Sequence, residues 1–376
     1  MKSAANKKVY IVLFFCFSHS FSFFAQSDSS NRAETEVLPI LSYDTDTGFG
    51  YGAKAFLYNK FNIQESFDLI LFNSTKGEQW YKVVFSLPDF ETRQGTEFPF
   101  ALDLIFEYDK WKKYNIYYYG KSPFEKSNQQ VEYNDKCVYE FIEARVLFNL
   151  ALRKDITGWF GIKFNSVASY NYQRDNGIDT TLIVENIFLE IPSVKYLSAN
   201  INCKWDTRNS YINPSNGYVL EMELEFAPDI FSGNNSFFRE AFIIRYYQNI
   251  LFENLVLAGR AMEQILISET GSSPFLAIPV GGNNTLRGVS VDKFRFKSLL
   301  LFNNELRYQF WWRFGLITGL DIGHGSNKNL YTEKRIDWII TPVIGLRFFM
   351  DNFIVRADVG FYKNDIGFYL NFGHIY

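Results

Sequence analysis

Between Tyr218 and Phe226 the chain alternates, with Tyr218, Leu220, Met222, Leu224 and Phe226 on one parity and Val219, Glu221, Glu223 and Glu225 on the other. A period of two is the signature of a β-strand and is incompatible with a helix face. The same pattern recurs from about Leu38 to the C-terminus. From Phe98, one face carries Phe98, Phe100, Leu102, Leu104 and Phe106 and the other Asp103 and Glu107. From Phe353, one face carries Phe353, Val355, Ala357, Val359 and Phe361 and the other Arg356, Asp358 and Gly360. Full charges in mid-strand are too costly for the dry core of a sandwich unless paired. A polar lumen accepts them.

Segment length separates the two architectures further. Many alternating runs are about 9–11 residues long, the length a tilted strand needs to cross a bilayer, whereas soluble strands average about 5–6. Sixteen such segments are predicted, at 38–45, 48–59, 63–75, 78–88, 98–109, 137–150, 156–172, 192–206, 217–228, 236–251, 255–268, 294–309, 314–323, 337–349, 353–362 and 366–376. The even number suits a single-chain bacterial barrel, and so does the alternation of connections. Those at 110–136, 173–191, 269–293 and 324–336 are long and polar, and those at 151–155, 252–254, 310–313 and 350–352 are short. The fold expected is all-β, a 16-stranded antiparallel transmembrane β-barrel. Its long connections are extracellular, and both termini are periplasmic.

The first 25 residues form a separate unit. Lys2, Lys7 and Lys8 precede an apolar run from Val9 to Phe17 and a small residue at Ala25, the layout of an export signal peptide. Cleavage is expected after Ala25, although Phe23 departs from the small-residue rule. Residues 26–37 would then be a short periplasmic segment ahead of a barrel at 38–376. Aromatic residues make up 19% of the chain, and no mature segment approaches the roughly 20 apolar residues of a spanning helix. An exported chain with these properties belongs in the outer membrane of a Gram-negative bacterium.

Composition removes several functions. The formal net charge of −3 and the lack of a basic stripe argue against nucleic acid. Beyond the leader only His324 and His374 remain, so no histidine cluster offers a metal site, and no cofactor is expected. Cys137 and Cys203 are too few for a disulfide framework and should stay thiols. An enzyme needs a nucleophile with a positioned base. No G-x-S-x-G occurs, and His324, between Gly323 and Gly325, has only Ser326 nearby, so the chain reads as a non-enzyme.

Several stretches carry a resemblance. "LPILSYDTDTGFGYGAKAFLY" (38–58) opens the barrel, and "WDTRNSYINPSNGYVLEMEL" (205–224) joins the eighth and ninth strands. "GGNNTLRGV" (281–289), "NNELRY" (303–308) and "GLDIGHG" (319–325) follow, and "IGFYLNFGHIY" (366–376) closes the chain. The series resembles the BamA/TamA family of outer-membrane proteins, also described as bacterial surface antigens, over nearly the whole mature chain. Its most specific parts are the turn Asp206-Thr207-Arg208…Pro214…Gly217 and the loop motif Leu286-Arg287-Gly288-Val289.

The resemblance implies a sixteen-stranded barrel whose loop 269–293 folds into the lumen. Arg287 would be latched there by Glu305 and Asp321. Gly288 would follow the arginine, and Val289 replaces the family's usual aromatic residue. Parity agrees independently. Leu300, Phe302, Leu306 and Tyr308 face lipid, with Asn304 among them, so Glu305 faces inward, and Asp321 does so on the next strand. A charge pair at 4 Å in a partly wet lumen attracts by up to about 4 kcal/mol before desolvation, enough to bias a loop. The last strand, with Phe368, Leu370, Phe372 and terminal Tyr376, resembles the family's assembly signal. His374 reads as interfacial.

Active members of this family insert or export proteins and carry periplasmic POTRA domains. Residues Gln26 to Val37 are too few for one. The expected function is therefore outer-membrane protein or lipid assembly or transport, and the alternative is a gated or plugged pore. Expected partners are outer-membrane lipid and lipopolysaccharide, through the aromatic and basic "KWKKYNIYYYGK" (110–121), and a periplasmic or outer-membrane partner protein. The barrel itself should be monomeric.

Overall fold

The computed structural model describes residues 33–119, 132–171, 194–231, 235–268, 273–327, 337–350 and 353–376. Sixteen of its strands close into one antiparallel barrel. They are β1 (Glu34–Asp44), β2 (Gly48–Tyr58), β3 (Ser66–Ser74), β4 (Glu78–Leu87), β5 (Phe98–Tyr119), β6 (Glu132–Arg153), β7 (Ile156–Asn171), β8 (Val194–Asp206), β9 (Gly217–Ala227), β10 (Phe237–Ile250), β11 (Phe252–Ser268), β14 (Ser298–Trp311), β15 (Phe314–Ser326), β16 (Ile339–Phe349), β17 (Ile354–Tyr362) and β18 (Asp365–Phe372). Two short strands, β12 (Ile278–Val280) and β13 (Phe294–Phe296), pair only with each other within the connection from β11 to β14. One helical turn, α1 (Phe90–Arg93), is capped by Asp89, whose side chain accepts from the Thr92 N–H. No described helix is long and apolar enough to cross a membrane.

The parity read from the sequence is the parity of the wall. Along β16, Ile340, Ile344 and Leu346 are exposed to the outside, while Thr341, Val343 and Arg347 are buried toward the lumen. In β9 the outward set is Tyr218, Met222 and Phe226, and Glu225 points inward to Arg239 and Lys163. Glu225 is thus paired twice, which offsets its desolvation. Asn304 is polar yet faces lipid. Tyr246 reaches it across Gly259, whose missing side chain leaves room for the ring, and donates its hydroxyl to Asn304 Oδ1.

Several boundaries differ from expectation. β1 starts at Glu34, inside the expected 26–37 periplasmic segment, because its backbone pairing with β2 continues to Glu34↔Tyr58 after the apolar alternation ends. β5 and β6 run through to Tyr119 and from Glu132, so 110–119 is strand and not loop; pairing persists through a bulge between Trp111 and Tyr114. The segment expected as one strand at 294–309 is two elements, since β13 belongs to the loop and the wall begins at Ser298. The last strand stops at Phe372. Gly373, at φ +76°, turns the chain inward, and Tyr376 is buried against Val219, Tyr247 and Ala258 on the far wall. Tyr376 is therefore not the rim-side strand end expected from its parity. Cys137 is buried, Cys203 faces outward, and both remain thiols. The expected signal peptide, the whole connection 173–191 and the tip at 120–131 lie outside the described residues.

Candidate functional site: a lumen latch beside the barrel seam

Register brings the acids together. Asn303 pairs with Asp321 across β14 and β15, which places Glu305 one lumen-facing position away. Glu305 itself lies opposite Gly319, and Asp358 opposite Gly345, so each carboxylate projects over a position without a side chain. Arg307, Arg347 and Arg356 line the same patch from β14, β16 and β17.

The loop supplies the remaining cation. The Arg287 guanidinium holds Asp321 with two bonds, Nε to Oδ2 and Nη2 to Oδ1, each 2.8 Å, and its own backbone N–H donates to Oδ2 at 3.1 Å. Nη1 donates to Glu305 Oε1 at 2.6 Å and to Asp358 Oδ2 at 2.9 Å. Arg287, Glu305 and Asp321 are each 0% exposed. The planar fork of arginine satisfies three carboxylates at once, which a lysine ammonium cannot reproduce. Asp358 was not among the expected partners. Its alternation with Arg356 and Gly360 on the polar face of β17 was the available signal.

Gly288 follows with φ +96°, a backbone state that favours glycine. Its N–H donates to the Tyr369 hydroxyl of β18 at 2.9 Å. Leu286 packs over Gly323, and Val289 is fully buried in an apolar cluster with Leu276, Val280, Phe294, Leu299 and Tyr362. Val289 shares this cluster with the rings of Phe294 in β13 and Tyr362 in β17. Further bonds tie the loop to the wall. Arg260 Nη2 donates to Asn284 O at 2.6 Å, Asn303 Nδ2 to Thr285 O at 2.7 Å and Arg356 Nη2 to Asn283 Oδ1 at 2.9 Å.

The turn motif forms a second local structure at the barrel end that bears the termini. Arg208 grips Asp206 in a bidentate pair at 2.9 and 2.7 Å, and Thr207 and Tyr218 exchange bonds as β9 opens at Gly217. Pro214 is buried within the turn. Asn213 Oδ1 lies 3.1 Å from Nε2 of His374, so this histidine meets the opposite wall's turn and is not a lipid-interface residue. Phe368, Leu370 and Phe372 face outward as expected. Among the described residues no group of three or more His, Cys, Asp or Glu could hold a metal ion.

The barrel's seam lies beside the latch. β1 and β18 pair only at Tyr43↔Leu370 and Asp44↔Tyr369, while other neighbouring strands share seven or more register pairs. The model of the Omp85 superfamily domain matches residues 78–334, more than half of the chain. The chain belongs to the Omp85 superfamily. The matched span contains Arg287, Glu305 and Asp321; Asp358 and Tyr369 lie beyond it.

Solved structures agree on the fold. This Omp85 barrel is similar to BamA from Haemophilus ducreyi lacking POTRA domains 1-3, with a TM-score of 0.61 and 11% identity over 91% of this chain and 70% of that one. It is similar to CdiB from Escherichia coli (TM-score 0.60, 10% identity, 92% and 68% covered) and to CdiB from Acinetobacter baumannii (0.56, 14%, 92% and 66%). A search of curated protein sequences finds no match. The protein is an outer-membrane β-barrel of the Gram-negative type.

Proposed function

We propose that this Omp85 barrel acts without covalent chemistry in the assembly or transport of outer-membrane proteins, using the β1–β18 seam as the place where a client strand engages. The observation that supports this reading is the seam itself. From Glu34 to Ser42, β1 has no strand on its β18 side among the described residues. Such an edge presents a row of backbone donors and acceptors, a template for an incoming strand. Among the described residues every other pair of neighbouring wall strands shares seven or more register pairs. Arg287 acts as the latch that keeps the loop in the lumen while the seam works. A periplasmic partner delivers clients, and lipid and lipopolysaccharide surround the barrel.

The test is folding of a denatured outer-membrane barrel client into proteoliposomes that contain the full chain. Faster client folding than in empty liposomes is expected, and replacing Leu41 by Pro on the seam edge should reduce it. Equal rates with and without the chain would reject the reading. A plugged pore is the second reading, supported by the apolar cluster that the loop builds inside the barrel. It requires ion conductance that rises when Arg287 is replaced by Ala, with no effect on client folding.

A further inference from the structure

The seam is poor in backbone pairing, yet the loop touches both of its sides. On the β1 side, the Val291 N–H donates to Asp46 Oδ2, in the β1–β2 turn, at 2.9 Å. On the β18 side, the Gly288 N–H donates to the Tyr369 hydroxyl at 2.9 Å. Tyr369 pairs with Asp44, two residues before Asp46. A Cβ on Gly367 would lie 2.3 Å from the Tyr369 hydroxyl, so the absence of a side chain there lets the ring lie along the wall and reach the loop.

We propose that Asp46 is a positioning residue, and that Asp46 and Tyr369 allow the latched loop to staple the β1–β18 seam from inside the lumen.

Three features support the staple. Gly288 and Val291 belong to one tight stretch, closed by Val289 N–H to Leu286 O at 3.2 Å and Gly282 N–H to Val289 O at 2.8 Å, so the two contacts cannot move independently. That stretch is fixed by Arg287 to β14, β15 and β17, which do not border the seam. The direct seam bonds beyond the two register pairs are local to Thr45 and Phe368, at 3.1 Å for Thr45 N–H to Phe368 O and 2.7 Å for Phe368 N–H to Thr45 Oγ1. Two loop contacts therefore add substantially to a short interface. Burial pushes the Asp46 carboxyl above its usual range, and the Val291 bond is the largest effect opposing that shift. By linkage, whatever opens the seam also loosens the loop, and the reverse.

This inference concerns the seam proposed above as the client site, but its test needs no client. The measurement is hydrogen–deuterium exchange of the full chain in lipid nanodiscs, read at 43–46 and 366–372 against the β15–β16 pair as an internal reference. Asp46→Ala should raise seam exchange by on the order of tenfold, the loss of one hydrogen bond to a charged group, with the reference unchanged. Val291→Pro removes the donor from the loop side without altering the β1–β2 turn, and should give the same increase. The double variant should be no worse than either single one, because both remove the same bond. Asp46→Asn keeps an acceptor and should stay near wild type. Unchanged seam exchange in Val291→Pro, or additive increases in the double variant, would overturn the staple. A chain that folds no client yet shows this coupled loosening keeps the staple and rejects the proposed function alone.

Discussion

Gly288 of the loop and Gly360 of β17 meet backbone to backbone. A Cβ on Gly288 would lie 2.6 Å from the Gly360 carbonyl carbon, and one on Gly360 would lie 2.3 Å from that of Arg287. The guanidinium reaches its three carboxylates because these two chains approach without side chains between them. The contact also places the loop tip on the strand adjacent to β18.

That approach is open to test at Gly360, which lies in a strand and tolerates alanine in its own backbone conformation. Gly360→Ala should leave the barrel inserted but push the loop off the wall, at an overpacking cost of about 1–3 kcal/mol. Protease cleavage within 273–297 on intact cells should rise relative to wild type. Unchanged protection would mean that the loop shifts to accommodate the methyl group.

The charged cluster makes an asymmetric prediction. Arg287→Ala removes the cation bound to Asp321 but still leaves Arg307 and Arg347 on Glu305 and Arg347 and Arg356 on Asp358, so the barrel should fold with a protease-accessible loop. Arg287→Lys should restore protection only in part. Sequence reasoning alone expects removal of Glu305 and Asp321 to resemble Arg287→Ala. The structure indicates otherwise, because Glu305→Gln with Asp321→Asn leaves Arg287, Arg347 and Arg356 with Asp358 as their one carboxylate and Arg307 with none. Breaking one side of a buried ion cluster costs about 3–5 kcal/mol, so this double variant should lower the urea midpoint of the barrel more than Arg287→Ala does. Equal midpoints would show that water enters and solvates the cluster.

Tyr246 and Asn304 form a polar pair on the lipid face. Tyr246→Phe leaves the Asn304 amide oxygen facing hydrocarbon without that donor and should destabilise the barrel by about 1–2 kcal/mol. Adding Asn304→Leu removes the stranded group and should recover most of the loss. The check is a double-mutant cycle on unfolding from lipid, and a failure of Asn304→Leu to rescue would assign the cost to ring packing over Gly259.

Orientation is tested by thiol labelling of intact cells, in a background where Cys137 and Cys203 are replaced by Ser. Lys363→Cys, in the turn between β17 and β18, should react with a membrane-impermeant reagent. Asn213→Cys should react only after permeabilisation. The reverse pattern would invert the barrel in the membrane.

Much of the molecule was determined by its sequence. Sixteen wall strands, their inward and outward faces, and the lumen position of Glu305 and Asp321 all follow from a period of two, which each strand carries locally and which a bilayer enforces on every spanning segment. The arginine in its Gly/Asn-rich loop was also recognisable. Only tertiary structure decided what crosses the lumen. Asp358, Arg347 and Tyr369 join Arg287 because barrel closure and strand register bring β14 to β18 around one point, and no local pattern encodes that convergence. The inward turn at Gly373, the burial of Tyr376 on the far wall and the bond from Val291 to Asp46 have the same origin. Segments without alternation carry no periodic constraint, so their positions are set by the partners that a closed wall happens to present.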